Sequence, residues 1–287
     1  MRHASKTAYN HGWNQIEIGG IKMRKHASLL FIFSIILAII SLTIAWIISN
    51  IAFHLLPLDS LAAYQPVLTE ILALLFWWGL DKTYFKSQVS WAFGTATKNW
   101  LYLLPIIVVL IGDATLNPSF NFGFSNIILS IILGLGVGIF EEYVFRGILV
   151  NQFYNRLNIS ALMTAVLSGL AFGFTHLVNA LNGNFGNTVA QTLAAISLGF
   201  FFAVVYLLIH NLWLVIIAHA IIDAFDHLAF GTLSNNAGTS LTTGIIYFVV
   251  FAAIGFWLLR RNQVSSQFVH QPGMTVKSKS HVNFSGS

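Results

Sequence analysis

The sequence predicts an all-α membrane protein, a polytopic transmembrane helical bundle of about eight spans. Composition is the first reason, because 56% of the residues are hydrophobic, only 8% are charged, and the mean hydropathy is +0.76. A soluble domain carries about 25% charged residues, so this chain lacks the polar surface that water requires. The length of its apolar runs and the one-sided distribution of Lys and Arg are the second and third reasons.

These values exclude a soluble globular enzyme. The net charge of +5 and the pI near 9.5 are expected from the cytoplasmic loops of a membrane protein, so they do not indicate nucleic-acid binding. The chain has no Cys, which excludes disulfides, a thiolate zinc site and a Cys nucleophile. Carboxylates, His and hydroxyl groups remain for chemistry.

The chain begins with a basic segment, residues 1–27, which we expect to lie in the cytoplasm. The first apolar run after it is too long for a removable signal peptide and lacks a small-residue cleavage site, so it is predicted to stay as an anchor. Eight apolar runs follow, most of them near the ~20 residues that a spanning helix needs. They are 28–52, 61–80, 100–112, 124–150, 159–181, 189–209, 211–230 and 241–259.

Lys and Arg support this topology. With a cytoplasmic N-terminus, all fourteen of these residues fall in the inside segments when Arg146 is counted with them. The predicted outside loops, 53–65, 113–123, 182–188 and 231–240, contain none, and Asp113 is expected to be solvated there. Both termini are therefore predicted to be cytoplasmic, and a short Cys-free, Ile- and Asn-rich polytopic chain fits a bacterial plasma membrane.

A single membrane-embedded domain is predicted for residues 28–261, with its motifs in 124–230. Its sequence contains no internal repeat. Residues 262–287 are rich in Ser, Gln, Val and Lys without periodicity, so we expect a disordered cytoplasmic tail.

Two adjacent acids, Glu141 and Glu142, interrupt a predicted span together with Arg146. Ionisable groups inside spans are costly and are candidates for function. Glu142 and Arg146 stand at i and i+4, the spacing of a helical ion pair, whereas neighbouring Glu141 points about 100° away. Glu141 is thus left as a general base for water. A purely structural ion-pair cluster is the alternative.

Three later residues add polar groups to the predicted spans. His176 follows Phe172 at i+4, and His219 and Asp223 share a helix face at i and i+4. His176 has a structural alternative as a hydrogen-bonding link between helices. Glu70 has two interpretations: it makes a functional contact, or it lies at a helix end where water solvates it. Gly134, Gly136 and Gly138 predict close helix packing, since the strand and Lys of a phosphate loop are missing.

In order along the chain, these motifs resemble those of the CPBP family of intramembrane proteases, also called the CAAX protease and bacteriocin-processing family or the Abi family. The matching residues are Glu141, Glu142, Arg146, Phe172, His176, His219 and Asp223. The resemblance implies hydrolysis of a peptide bond near the cytoplasmic half of the membrane, with a membrane-associated peptide or protein as substrate, the bilayer as surroundings and no nucleic-acid partner.

In the family's mechanism Glu141 and His176 activate the attacking water, while His219 and the residue at 223 stabilise the oxyanion. Glu142, Arg146 and Phe172 support them. An ionised Asp223 would repel an oxyanion, so it must be protonated, orient His219 or bind metal. We favour a metal-independent, glutamic-type reaction without a cofactor; the alternative is a metalloprotease, with zinc held by Glu141, His176, His219 and Asp223.

Two other functions compete with proteolysis. A small transporter would place polar residues along an ion path, although its usual inverted repeat is missing. A non-catalytic immunity protein would protect its host from a bacteriocin by binding in the membrane. Because all the motif residues are present, protease activity is preferred, with bacteriocin immunity or processing as its purpose.

Overall fold

In the computed structural model an all-α bundle forms, as the sequence predicts. The structure describes residues 15–18, 21–56, 59–91, 102–115, 119–181, 185–231 and 240–265, so most of the predicted tail lies outside the described residues. Within these ranges the helices are α1 Lys25–Leu55, α2 Gln65–Leu80, α3 Ile106–Ala114, α4 Phe124–Glu142, α5 Ala161–Thr175, α6 Phe185–Ile209, α7 Leu212–Phe230 and α8 Leu241–Arg261.

A short antiparallel hairpin precedes α1 and was not predicted from the sequence. Its strands are β1, Gln15–Ile18, and β2, Ile21–Arg24, and Gln15 pairs with Arg24. Several helices also have irregular extensions. These are 3₁₀ turns at Asp59–Tyr64 and His176–Leu181, and π-helical turns at Asp81–Phe85, Tyr143–Val150 and Gln152–Arg156.

The number of long spans differs by one from the prediction. Seven helices of the described chain are long and apolar enough to cross a membrane. The exception is the predicted third span, 100–112, where α3 has nine residues. Nine residues rise only about 14 Å, less than half of the ~30 Å hydrocarbon layer.

Residues that flank α3 in the chain contact opposite ends of α7. The amide of Leu212, at the start of α7, donates to the Ser90 carbonyl at 3.4 Å. The amide of Ser119 donates to the Ala229 carbonyl, near the other end of α7, at 2.9 Å. These two ends are about 28 Å apart along the 19-residue α7. Ser90 and Ser119, which flank α3 in the chain, therefore lie near opposite ends of α7.

Lys and Arg mark one end of the bundle, which we call the basic end. It contains Lys82, Lys86, Arg156, Arg260 and Arg261. The amide of Ser265 donates to the Leu207 carbonyl at 3.0 Å, so the chain after α8 lies there too. The prediction that counted Arg146 among the charges of the inside loops was wrong, because its side chain is fully buried inside a span. The opposite end is called the far end.

Glycines bring α4 and α7 together, as their spacing predicts. A Cβ at Gly134 would lie 2.5 Å from the Ala220 carbonyl oxygen, and one at Gly138 would lie 3.0 Å from that of Ile216. Only glycine permits backbones this close. A Cβ at Gly136 would instead lie 3.8 Å from the Cβ of Glu70 in α2. This approach places the acidic end of α4 beside the middle of α7.

Candidate active site

A buried network joins the end of α4 to α7. Glu142 Oε1 lies 3.0 Å from Arg146 Nη1 and 2.8 Å from His219 Nδ1, and both ion-pair side chains are fully buried. The pair expected from the i, i+4 spacing is therefore present. Because a carboxylate accepts, Nδ1–H of His219 donates to Glu142, which sets the orientation of the imidazole ring.

Aromatic rings enclose this network. The guanidinium carbon of Arg146 lies 4.6 Å from the centre of the Phe172 ring and 5.6 Å from that of Phe202. Phe172 also makes edge-to-face contacts with His176 and His219, at 4.9 and 5.7 Å between ring centres. Phe172 therefore links the motif residues of α4, α5 and α7, which explains a large apolar side chain at this position.

The π-helical turn beginning at Tyr143 follows directly after Glu142 and contains Arg146. Such wide turns occur frequently at functional sites, where they change the direction of side chains relative to a regular helix. The apolar run 124–150 predicts one regular span, and nothing in its sequence indicates this turn.

The second nitrogen of His219 faces two further carboxylates. His219 Nε2 lies 3.4 Å from Glu141 Oε2 and 3.6 Å from Asp223 Oδ2. Glu141 is 15% exposed and Asp223 17% exposed, whereas His219 is 6% exposed. The two adjacent glutamates thus meet opposite nitrogens of one ring. The sequence spacing predicts no partner for Glu141, but its side chain is in contact with His219.

His176 stands at the C-terminal end of α5, where the helix tightens into a 3₁₀ turn. Its Nδ1 lies 3.0 Å from the Phe172 carbonyl oxygen. A carbonyl only accepts, so Nδ1 carries the hydrogen, and in the neutral ring Nε2 is an acceptor. That acceptor is suited to hold a water molecule by one of its hydrogens.

The predicted catalytic residues line one cavity of about 550 Å³. Glu141 comes from α4, His176 from the end of α5, and His219 and Asp223 from α7. This volume lies in the range of small-molecule and peptide side-chain sites. The cavity extends from the middle of the bundle towards the far end, since Pro66 at the start of α2 also lines it.

Further polar residues line this cavity, and sequence reasoning found only some of them. Glu70, the unexplained acid of the second span, is one, and Asp226, which continues the face of His219 at i+7, is another. The prediction that Asp113 is solvated was wrong. Its side chain is buried and accepts a hydrogen bond from Tyr247 at 3.2 Å. No local pattern relates Asp113 to a Tyr 134 residues later.

The metal alternative requires donors that converge on one point. Within the described part of the chain, no group of three or more His, Asp or Glu side chains has a geometry that would hold a metal ion. His219 Nδ1 is already directed at Glu142, which leaves only Nε2 for a ligand. The proposed ligand set, Glu141, His176, His219 and Asp223, does not fit zinc in this conformation.

Residues 123–225 match a family model, the Rce1-like family, described as type II CAAX prenyl endopeptidase Rce1-like. The match begins just before α4 and ends two residues after Asp223, so it includes every predicted catalytic and supporting residue. It confirms the resemblance drawn from the motifs. No curated protein and no solved structure matched the chain.

Proposed function

We propose that this chain, whose residues 123–225 carry an Rce1-like CAAX prenyl endopeptidase domain, hydrolyses a peptide bond of a membrane-associated peptide or protein with water activated by Glu141 and His176. The family match supports a CAAX-type intramembrane protease. One observation carries the finer proposal: Glu141, His176, His219 and Asp223 come from three helical segments to a single cavity.

The first step is attack by water on the scissile carbonyl. Glu141 takes one proton from the water, and His176 Nε2 accepts a hydrogen bond from the other. The C–O bond forms as the carbonyl π electrons move to oxygen. Glu141 then returns its proton to the departing amine, the C–N bond breaks, and an acid and an amine are released. A positioned base of this kind contributes about 10²- to 10⁴-fold in rate.

His219 is placed to stabilise the oxyanion. When doubly protonated, its ring donates Nδ1–H to Glu142 and presents Nε2–H beside Glu141 and Asp223. Glu142 and Asp223 supply negative charge around that cation, since Glu141 has by then taken a proton from the water. We therefore propose that Asp223 orients His219, which is one of the three roles considered for its carboxylate. Donors preorganised in a water-poor site contribute most to such stabilisation.

Cleavage of a quenched fluorescent peptide tests the proposal. The purified protein in detergent micelles is given a CAAX-ending peptide in two forms, with and without a farnesyl group on its Cys. We expect wild-type protein to cleave at least one form, and Glu141→Gln to lose about 10²- to 10⁴-fold in rate. The two forms also show whether the substrate must be prenylated.

Glu17→Gln is the matched control, because it makes the same chemical change in the chain before the predicted membrane-embedded domain, 28–261. It should cleave as fast as the wild type. If Glu141→Gln retains wild-type rates, the assignment of the base is wrong. If wild-type protein cleaves neither peptide but still protects cells from a bacteriocin, a non-catalytic immunity function replaces the proposal.

A further inference from the structure

The cavity has an acidic wall that the hydrolytic mechanism does not use. Glu70 of α2, Asp113 of α3 and Asp226 of α7 line it in addition to Glu141 and Asp223. Five of the nine Asp and Glu residues in the chain therefore face one space. None of the described residues lining it is Lys or Arg. A cavity lined by one sign of charge concentrates ligands of the opposite sign.

Asp226 keeps one carboxylate oxygen without a partner. Its side chain is 7% exposed, lines the cavity and shares a hydrogen bond with the side chain of Asp113, but its Oδ1 has no hydrogen bond to any described residue. Glu70 Oε2 is also buried without a hydrogen bond to a described residue. A buried carboxylate oxygen without a partner is costly, and a cationic ligand would remove that cost.

The arrangement of these acids favours a cationic side chain over a bare metal ion. They project from three different helices, and the described residues contain no group of three with metal-binding geometry. Their charges are therefore distributed along the cavity. A Lys or Arg side chain, which brings its charge on a flexible apolar stem, suits such a wall better than a small ion needing converging ligands.

The distance along α7 places this wall close to the reacting bond. Asp226 follows His219 by seven residues and Asp223 by three, which corresponds to rises of about 10 Å and 4–5 Å. An extended peptide advances about 3.3–3.6 Å per residue. A substrate side chain reaching Asp226 thus belongs to a residue within two or three positions of the scissile bond.

We propose that Asp226 and Glu70 form a specificity subsite for a Lys or Arg side chain of the substrate, near the bond that is cut. This inference rests on the proposed function, since it assigns a substrate class to the same cavity. The family match does not assign these two residues, because both lie outside 123–225. Asp113, which accepts a hydrogen bond from Tyr247, lines the same cavity.

Binding to an inactive protein tests the subsite apart from catalysis. Pairs of fluorescein-labelled peptides are titrated with the Glu141→Gln protein. The two peptides of a pair differ only in having Lys or uncharged norleucine at one position. This position is moved in turn through the three residues on either side of the cleaved bond. We expect the Lys peptide to bind at least about tenfold more tightly at one position. Adding Asp226→Asn or Glu70→Gln should reduce this ratio to below about threefold.

Asp81→Asn is the matched control. Asp81 is also a buried carboxylate, but it bonds Tyr143 at the basic end and does not line the cavity. Adding it to Glu141→Gln should leave the tenfold ratio unchanged. Equal binding of the Lys and norleucine peptides, or a preference that both Asp226→Asn and Glu70→Gln leave intact, overturns the proposal.

The two proposals fail in distinguishable ways. If wild-type protein cleaves Lys and norleucine peptides equally well, the protease stands and the subsite is wrong. If Glu141→Gln prefers the Lys peptide through Asp226 while wild-type protein cleaves neither, the subsite stands and the protease is wrong. Saturable binding of zinc or calcium that Asp226→Asn abolishes, without any peptide preference, would make the wall a cation site and overturn the subsite.

Discussion

Replacing Arg146 by Ala should strongly destabilise the protein, because Arg146 neutralises a carboxylate in the centre of the bundle. Its Nη1 lies 3.0 Å from Glu142 Oε1, and neither side chain is exposed. The substitution leaves Glu142 with only the Nδ1–H of His219, and it also removes packing against Phe172 and Phe202. Breaking a buried pair from one side costs about 3–5 kcal/mol.

The expected loss corresponds to roughly 6–20 °C in melting temperature, at about 2–4 °C per kcal/mol for chains of this order of size. Intrinsic Trp fluorescence of the detergent-solubilised protein during heating provides the measurement, since eight Trp residues report on the bundle. Peptide cleavage should fall as well, because Glu142 orients His219.

Arg156→Ala is the matched control. Arg156 is exposed at the basic end, and its Nη1 donates to Gln152 Oε1 at 3.2 Å. Losing this one bond should cost less than about 1.5 kcal/mol. The double variant Glu142→Gln/Arg146→Met, which removes both charges, should melt above Arg146→Ala. If Arg146→Ala melts no lower than Arg156→Ala, the buried pair does not carry the stability assigned to it.

Three other predictions address mechanism, packing and topology. If Asp223 orients His219, the Asp223→Asn variant should keep more than about a tenth of wild-type turnover. This corresponds to an increase of less than ~1.4 kcal/mol in the activation barrier. Near-complete loss, with chelator inactivation reversed by zinc, would instead make the protein a metalloprotease. Gly134→Ala should lower the melting temperature by forcing a Cβ to within 2.5 Å of the Ala220 oxygen, whereas Gly79→Ala, with open space around it, should not. Reporters should read the outside of the membrane after Asn50, Asn117, Gly183 and Asn235, and the cytoplasmic side after Lys86, Asn155 and Arg261. A cytoplasmic reading at Asn117 would contradict a crossing between Lys86 and Asn117.

The topology experiment also decides which side the substrate reaches. The cavity extends towards the far end, which lacks the Lys and Arg residues of the basic end. The charge distribution predicts that this end faces away from the cytoplasm. The family resemblance implied the cytoplasmic half of the membrane. These two expectations conflict, and the reporters discriminate between them.

Features that depend on composition and on neighbours along the chain could be predicted from the sequence. The apolar runs predicted an all-α membrane bundle because transfer of a helix into lipid is nearly a sum over its residues. The ion pair between Glu142 and Arg146 follows from the geometry of one helix turn. The motif residues were likewise recognised from their order and spacing.

Contacts between distant residues required the tertiary structure. Glu142 and His219 are 77 residues apart, and Asp113 and Tyr247 are 134 apart. The rotation of each helix about its own axis and the close approach of α4 to α7 decide which side chains meet, and neither is encoded in local spacing. For the same reason only the structure placed Glu70 and Asp226 in the cavity of Glu141. Periodicity assigns a residue to a helix face, but packing between helices decides what that face contacts.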